Sequence, residues 1–241
     1  MDIIKNKNIQ IINGTDMKIQ IIKKATLFIL SLIIFYGCDK SNINDDDTIH
    51  GSGKIVSQTR DVEECSGLTI KNIGNVYLTQ DAAQSILIEA DDNIIDDVIT
   101  RKENGELVVG LEDGSYSNIT LKIYVSLKTI ESLSIQGAGN IYGQNSFECD
   151  SLDCVINGAG NINVQGNGNY QNCFINGAGN INAENFIVEK CKVFVNGAGT
   201  CTVNVTEDLD ASVNGAGTIF YYGNPSNVRT SITGVGQITS K

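Results

Sequence analysis

Seven cysteines, one histidine and a short run of aspartates are the residues of this 241-residue chain whose types could do chemistry. Cys38 follows Gly37 and stands apart from Cys65, Cys149, Cys154, Cys173, Cys191 and Cys201. The spacings of those six match no common zinc pattern, and a lone His50 leaves a mixed His/Cys site short of ligands. Cys154 and Cys173 fall at the same position in successive copies of a repeat, so they should stack on neighbouring strands. A disulfide is within reach there if the side-chain dihedral allows it; thiols that simply fill the core are the preferred reading. Asp91, Asp92, Asp96 and Asp97 are crowded enough to suit a calcium ion, although a solvated acidic loop is the expectation. His50 has no Ser or Cys motif beside it. Gly137-Ala138-Gly139 lacks the third glycine and following helix of a dinucleotide fingerprint, and Gly51-Ser52-Gly53-Lys54 is no P-loop. No catalytic, cofactor-binding or metal-ligating residue is assigned, and no cofactor is expected.

The elements that would position these residues are set by a repeat. Gly-Ala-Gly begins at Gly137, Gly158, Gly177, Gly197 and Gly215, and Gly234-Val235-Gly236 is an altered sixth copy. A strand-like run precedes each copy, such as Cys154-Val155-Ile156-Asn157, and a polar then an apolar residue follows it, such as Asn161-Ile162. Gly, Asn and β-branched residues oppose helix. A period of 18–21 residues fits one coil of two or three short strands stacked on the next. The expected fold is all-β: a right-handed parallel β-helix, or β-solenoid, of about six coils over 133–241, roughly 29 Å long at about 4.8 Å per coil. Ile and Val two residues before each Gly-Ala-Gly form one inward ladder, and the apolar residue after the polar one forms a second. Ala should fit a tight inward bend, and Asn157, Asn176, Asn196 and Asn214 should stack through their amides. Residues 52–132 read as an irregular β-rich half that caps the first coil, with a hairpin turn at Asn104-Gly105 and a helical turn or loop within Asp91–Thr100.

The first 37 residues read as an address. Lys18, Lys23 and Lys24 precede the apolar run Ala25–Phe35 and Tyr36-Gly37-Cys38, a secretory-signal pattern similar to that of bacterial lipoproteins, with Cys38 the lipidated residue. Met17 to Gly37 is a signal of ordinary length, so residues 1–16 are read as an over-extended start. Residues 38–51 form a polar tether. Its acidic cluster Asp45-Asp46-Asp47 resembles surface-export signals, and a spacer facing the periplasm is the equal alternative. Removal of 1–37 leaves 12 basic and 26 acidic side chains, a net charge of −14. That charge excludes nucleic acid as a partner, since phosphate binding needs a basic surface.

Gly-Asn-Ile-Asn at Gly160 and Gly179, the repeated Asn-Gly-Ala-Gly, and the stretch from Cys65-Ser66-Gly67-Leu68 to Asn104-Gly105-Glu106-Leu107 resemble the head GIN domain family, whose members are described as putative auto-transporter adhesins, many of them lipoproteins. The resemblance spans about residues 55–240 and implies a β-helical, secreted or surface-attached fold. It brings no catalytic residues. The expectation is an outer-membrane lipoprotein, facing the surface or the periplasm, that acts as a non-catalytic adhesion or binding module. Its partners would be the membrane through its lipid, a glycan or protein ligand, and a second copy through a solenoid edge. Contacts are expected at loops 143–149 and 166–171, with Tyr142, Tyr170, Tyr221 and Tyr222 as aromatics for glycan stacking. The alternatives are a polysaccharide-acting β-helix enzyme, which needs paired carboxylates on one face, and a structural or sensing partner in the periplasm.

Overall fold

The computed structural model describes residues 48–241; the signal segment, Cys38 and most of the tether lie outside the described residues. Parallel pairing dominates. β1 (Thr48–His50) lies beside β7 (Ser115–Ser117), so the last residues read as tether are a strand held by backbone hydrogen bonds. The solenoid is built from β3 (Gly67–Gln80), β9 (Ser132–Gly143), β10 (Phe147–Gly158), β11 (Asn161–Gly177), β12 (Asn180–Gly197) and β13 (Thr200–Gly215). It ends with β14 (Thr218–Tyr222), β15 (Asn227–Gly234) and β16 (Gln237–Ser240). Every pairing among them is parallel and in register with the motif: Gly137, Gly158, Gly177, Gly197, Gly215 and Gly234 succeed one another coil by coil. The stack makes about five turns rather than six, because β15 and β16 form only part of a last coil.

Inside, the two expected ladders are present. Ile135, Ile156, Ile175, Val195 and Val213 are buried in one column, and Ile141, Ile162, Ile181, Cys201 and Ile219 in the other. Each full burial of an Ile or Val contributes about 1.5–3 kcal/mol. Because side chains alternate along a strand, the residues between them face outward.

The glycines allow the coils to approach this closely. Gly177 has φ 137°, and a Cβ there would lie 2.2 Å from the carbonyl oxygen of Gly158 in the previous coil. A Cβ on Gly199 would lie 2.4 Å from the Gly179 carbonyl and 2.7 Å from Ile175 Cγ2, in the buried column. The alanine between the glycines points out, not in. Ala138, Ala159, Ala178, Ala198 and Ala216 are all exposed, and their backbone carries the bond between coils, as when Ala178 N–H donates to Gly158 O at 3.0 Å. The inward bend falls at the third residue of the motif, where no side chain fits.

Upstream, β3 runs beside β9 along its whole length, with Gly74, Asn75 and Val76 opposite Gly139, Asn140 and Ile141. Antiparallel strands surround this first coil. β5 (Val98–Glu103) and β6 (Glu106–Leu111) form a hairpin whose Asn104 and Gly105 both take positive φ, 52° and 89°, as a two-residue turn requires. β4 (Ser85–Asp91) pairs with β8 (Leu121–Leu127) and with β2 (Ile55–Thr59). A single 3-10 turn, Ile95–Asp97, lies between β4 and β5. Among the described residues no helix is long and apolar enough to cross a membrane.

Candidate functional site

The segments read as loops 143–149 and 166–171 come together in the fold, largely as strand. Phe147, Glu148 and Cys149 of β10 lie opposite Gly166, Asn167 and Gly168 of β11, and Ser151 lies opposite Tyr170. Alternation turns Phe147 and Leu152 into the core and leaves polar side chains outside. These outward residues, with Glu131 from the turn before β9, line a groove of about 720 Å³ that gathers Glu131, Glu148, Asp150 and Asp153. The next coil answers three of these carboxylates. Asn167 Nδ2 donates to Glu148 at 3.0 Å, Asn169 to Asp150 at 3.3 Å and Asn172 to Asp153 at 2.8 Å. Half-buried Cys149 lies in the same groove. Burial, then Cys154 and the neighbouring Glu148, Asp150 and Glu131, push its thiol up to about 11, so it stays protonated and unreactive near neutral pH.

Strand register extends this face along the axis. One column reads Asp153, Asn172, Lys192, Asp210, Arg229, and its neighbour reads Ser151, Tyr170, Lys190, Asp208, Asn227. Charge therefore changes from coil to coil: the first column runs acidic, neutral, basic, acidic, basic, and the second neutral, neutral, basic, acidic, neutral. Lys190 lies 3.9 Å from Asp208 and Arg229 lies 4.0 Å from Asp210, in solvent. Ion pairs that long and exposed are worth about 0–1 kcal/mol, so they are displaced at little cost. A second hollow of about 230 Å³ lies between Tyr170, Lys190, Lys192, Asp208, Asp210 and Arg229.

Of the four tyrosines expected to stack on a sugar, Tyr170 fits best, standing 36% exposed on this face. Tyr142 stacks on Tyr77 with centroids 5.4 Å apart, and Tyr77 stacks on Tyr124 at 5.1 Å. That ladder turns at least one face of each ring toward a neighbour and away from a ligand. Tyr221 packs against the core, and Tyr222 is half-buried at the end of β14. Amide ladders accompany these rings. Asn196 donates to Asn176 at 3.1 Å and Asn214 to Asn196 at 3.2 Å, two of the three steps expected from the repeat; among the described residues no amide bond joins Asn157 to its register partner Asn176. A further ladder runs Asn180 to Asn161 to Asn140 to Asn75 at 2.9, 2.7 and 2.7 Å. Such ladders fix the outer side chains at the spacing of the coils.

Two of the four aspartates weighed as a calcium site, Asp91 and Asp92, have other roles. Asp91 is buried and accepts the backbone N–H groups of Gly53 at 2.7 Å and Thr120 at 2.6 Å. Asp92 accepts Ser52 Oγ at 2.6 Å and pairs with Lys54 at 2.9 Å; these contacts, Ser52 first, hold its carboxyl below the usual carboxylate range. Among the described residues no group of three or more His, Cys, Asp or Glu is arranged to hold a metal ion. Exposed His50 offers its carbonyl to Asn93. The six cysteines after Cys38 are free thiols, and Cys154 and Cys173 are register partners as expected.

The fold has solved counterparts. A putative adhesin from Bacteroides fragilis is 25% identical with a TM-score of 0.68, the match covering 80% of this chain and all of that one. A putative adhesin from Parabacteroides distasonis, at 20% identity and a TM-score of 0.52, matches 81% of this chain and all of its own, and shows the same fold. No curated protein sequence matches the chain. The family described as "putative auto-transporter adhesin, head GIN domain" matches residues 65–225, two thirds of the sequence and nearly the whole solenoid. The chain belongs to the head GIN domain family.

Proposed function

We propose that this chain is a non-catalytic adhesion or binding module of the cell envelope, anchored to the outer membrane by a lipid on Cys38 after loss of residues 1–37. The segment 38–47, ahead of β1, gives it reach, toward the cell surface or into the periplasm. The observation that carries the binding reading is the face whose charge alternates in register, from the Glu148/Asp150/Asp153 groove to Lys190 and Lys192 and on to Asp210 and Arg229. Side chains held in register lose little freedom when a ligand docks, which lowers the ordering cost of binding. A face of mixed sign with one open tyrosine suits a polar polymer, a glycan or a protein segment, that carries both hydroxyl and charged groups. Family membership supports the adhesin reading, and pairing of two copies through a strand edge belongs to the same proposal.

The four-carboxylate groove is the one observation that favours an enzyme. Three of those carboxylates are engaged by Asn amides, and no basic side chain lines the groove. A glycosidase carboxyl must be free to exchange a proton at the scissile bond, so the binding reading is preferred. The test is a panel of soluble polysaccharides and envelope extracts passed over the immobilised chain, beside Lys190→Ala/Lys192→Ala and Asp150→Asn/Asp153→Asn double variants. Retention of a polymer that weakens in either variant supports the module. Retention untouched by both variants, or cleavage of a retained polymer, contradicts it.

A further inference from the structure

Four thiols lie in the solenoid core, on successive coils. Cys154, Cys173, Cys191 and Cys201 are each no more than 3% exposed. They come from four successive strands, β10, β11, β12 and β13. Cys154 and Cys173 are register partners, which puts their Cα atoms about 4.8 Å apart, inside the span that disulfides bridge. Cys191 lies opposite Gln171, two residues before Cys173, and Cys201 comes from the second inward column, opposite Ile181. Cys173 is the hub: Cys154 is its register partner, and the neighbouring thiols of Cys154, Cys191 and Cys201 together with burial hold it protonated, well above the usual thiol range. The thiols do not converge on a point that would hold a metal ion.

A second feature marks the cluster. Gln171 is wholly buried, its Nε2 turned to Cys154 Sγ at 3.9 Å and its Oε1 without a hydrogen-bond partner. A core of Ile, Val and Leu excludes such a group unless something polar or polarisable lies beside it. Sulfur is the polarisable partner here.

We propose that this cluster is a covalent staple: as the coils close, Cys173 forms a disulfide with one of the three thiols around it, its register partner Cys154 first, tying β11 to a neighbouring coil. The chemistry is thiol–disulfide exchange with a small-molecule disulfide such as oxidised glutathione. The Cys173 thiolate attacks one sulfur of the oxidant, forming a mixed disulfide and releasing one glutathione thiol. A second cysteine thiolate then attacks Cys173 Sγ and expels the other glutathione. Two protein thiols lose two electrons and two protons, and the oxidant becomes two thiols. The step belongs to folding, because in the closed core the thiols are buried out of reach of an oxidant, and only an accessible thiolate attacks. The proposal needs the envelope reading only for its oxidant in the cell, since secreted compartments are oxidising; the test below does not depend on it.

The full chain is unfolded in denaturant, then refolded with reduced and oxidised glutathione or with reductant alone. Remaining thiols are alkylated, and the disulfides are mapped after digestion at acid pH. The expected result is a linkage that includes Cys173 with Cys154, Cys191 or Cys201, two hydrogens lighter than the reduced chain. The oxidised form should also have a higher urea midpoint, a shift lost in Cys173→Ser and kept in Cys149→Ser. Recovery of Cys173 fully alkylated, or a linkage confined to Cys38, Cys65 or Cys149, would overturn the proposal. Equal midpoints for the oxidised and reduced wild type would overturn its role as a staple. Should Cys173→Ser fail to fold, the wild-type map and midpoints decide alone.

Discussion

Replacing Gly177 with alanine adds one methyl group, and the structure puts a magnitude on it. The residue has φ 137°, and the new Cβ would lie 2.2 Å from Gly158 O, with the Gly158 carbonyl carbon at 3.1 Å. Both contacts are backbone, so no flexible side chain can swing away. Holding a non-glycine residue in such a conformation costs about 1–3 kcal/mol. Relieving the clash means moving two coils apart by roughly 1 Å, which weakens the Ala178 N–H to Gly158 O bond of 3.0 Å, at about 1 kcal/mol for a hydrogen bond. The sum is a loss of about 2–4 kcal/mol. Ala178→Gly, one residue on and exposed, is the control and should cost at most about 1 kcal/mol. Urea denaturation followed by circular dichroism reads both. A Gly177→Ala variant within 1 kcal/mol of wild type would refute the account of coil spacing, since it would mean the coils are not packed carbonyl to Cα at this position.

Other consequences can be checked the same way. Gln171→Leu removes an unpartnered buried acceptor from a column whose preceding member, Leu152, is itself fully buried; stability should rise by about 1–2 kcal/mol, and a loss of that size would show that the amide has a partner in solution. The Cys149 thiol, raised to about 11, should react with iodoacetamide at pH 8 about a hundredfold more slowly than an unperturbed thiol. Its folded pKa lies above its unfolded one, so its contribution to stability is full below pH 9 and falls as pH rises from there through 11; labelling at the rate of a free cysteine would contradict this. Asp91→Ala leaves the N–H groups of Gly53 and Thr120 unanswered and should cost about 2–4 kcal/mol, with faster hydrogen exchange in Gly51–Lys54 before the solenoid is affected.

Much of the fold was legible because a solenoid writes its architecture as a period. The inward columns could be named residue by residue, since each coil repeats the spacing between Ile175 and Gly177 or between Gly179 and Ile181. The orientation of the alanine was not legible: a small residue between two glycines looks suited to a tight bend, but the bend occurs where even a methyl group collides with the previous coil. Residues 143–149 and 166–171 looked like loops because their outward positions are polar. Residues 147–149 and 166–171 are strand because neighbouring coils satisfy their backbones whatever the side chains are. The alternating face was hidden for a related reason. Asp153, Lys192 and Arg229 are far apart in sequence, and only the register, which shifts between Asn163 and Gln165 and again between Ala183 and Ile187, places them in one column. Tyr142 could be named from sequence, but its stacking on Tyr77 needed the pairing of β3 with β9 across 65 residues.

The central claim is that this solenoid is held at the cell envelope by Cys38 as a binding module, and the most direct measurement is made on cells. Tagged wild type and Cys38→Ala are expressed in the native host, fractionated, and treated as intact cells with protease. The account predicts wild type in the outer-membrane fraction, and release of Cys38→Ala from the membrane with altered processing. Rapid digestion in intact cells would place the module on the surface, and protection until the outer membrane is broken would place it in the periplasm and remove the adhesin reading. Identical processing and membrane association of the two proteins would contradict the lipid anchor on which the account rests.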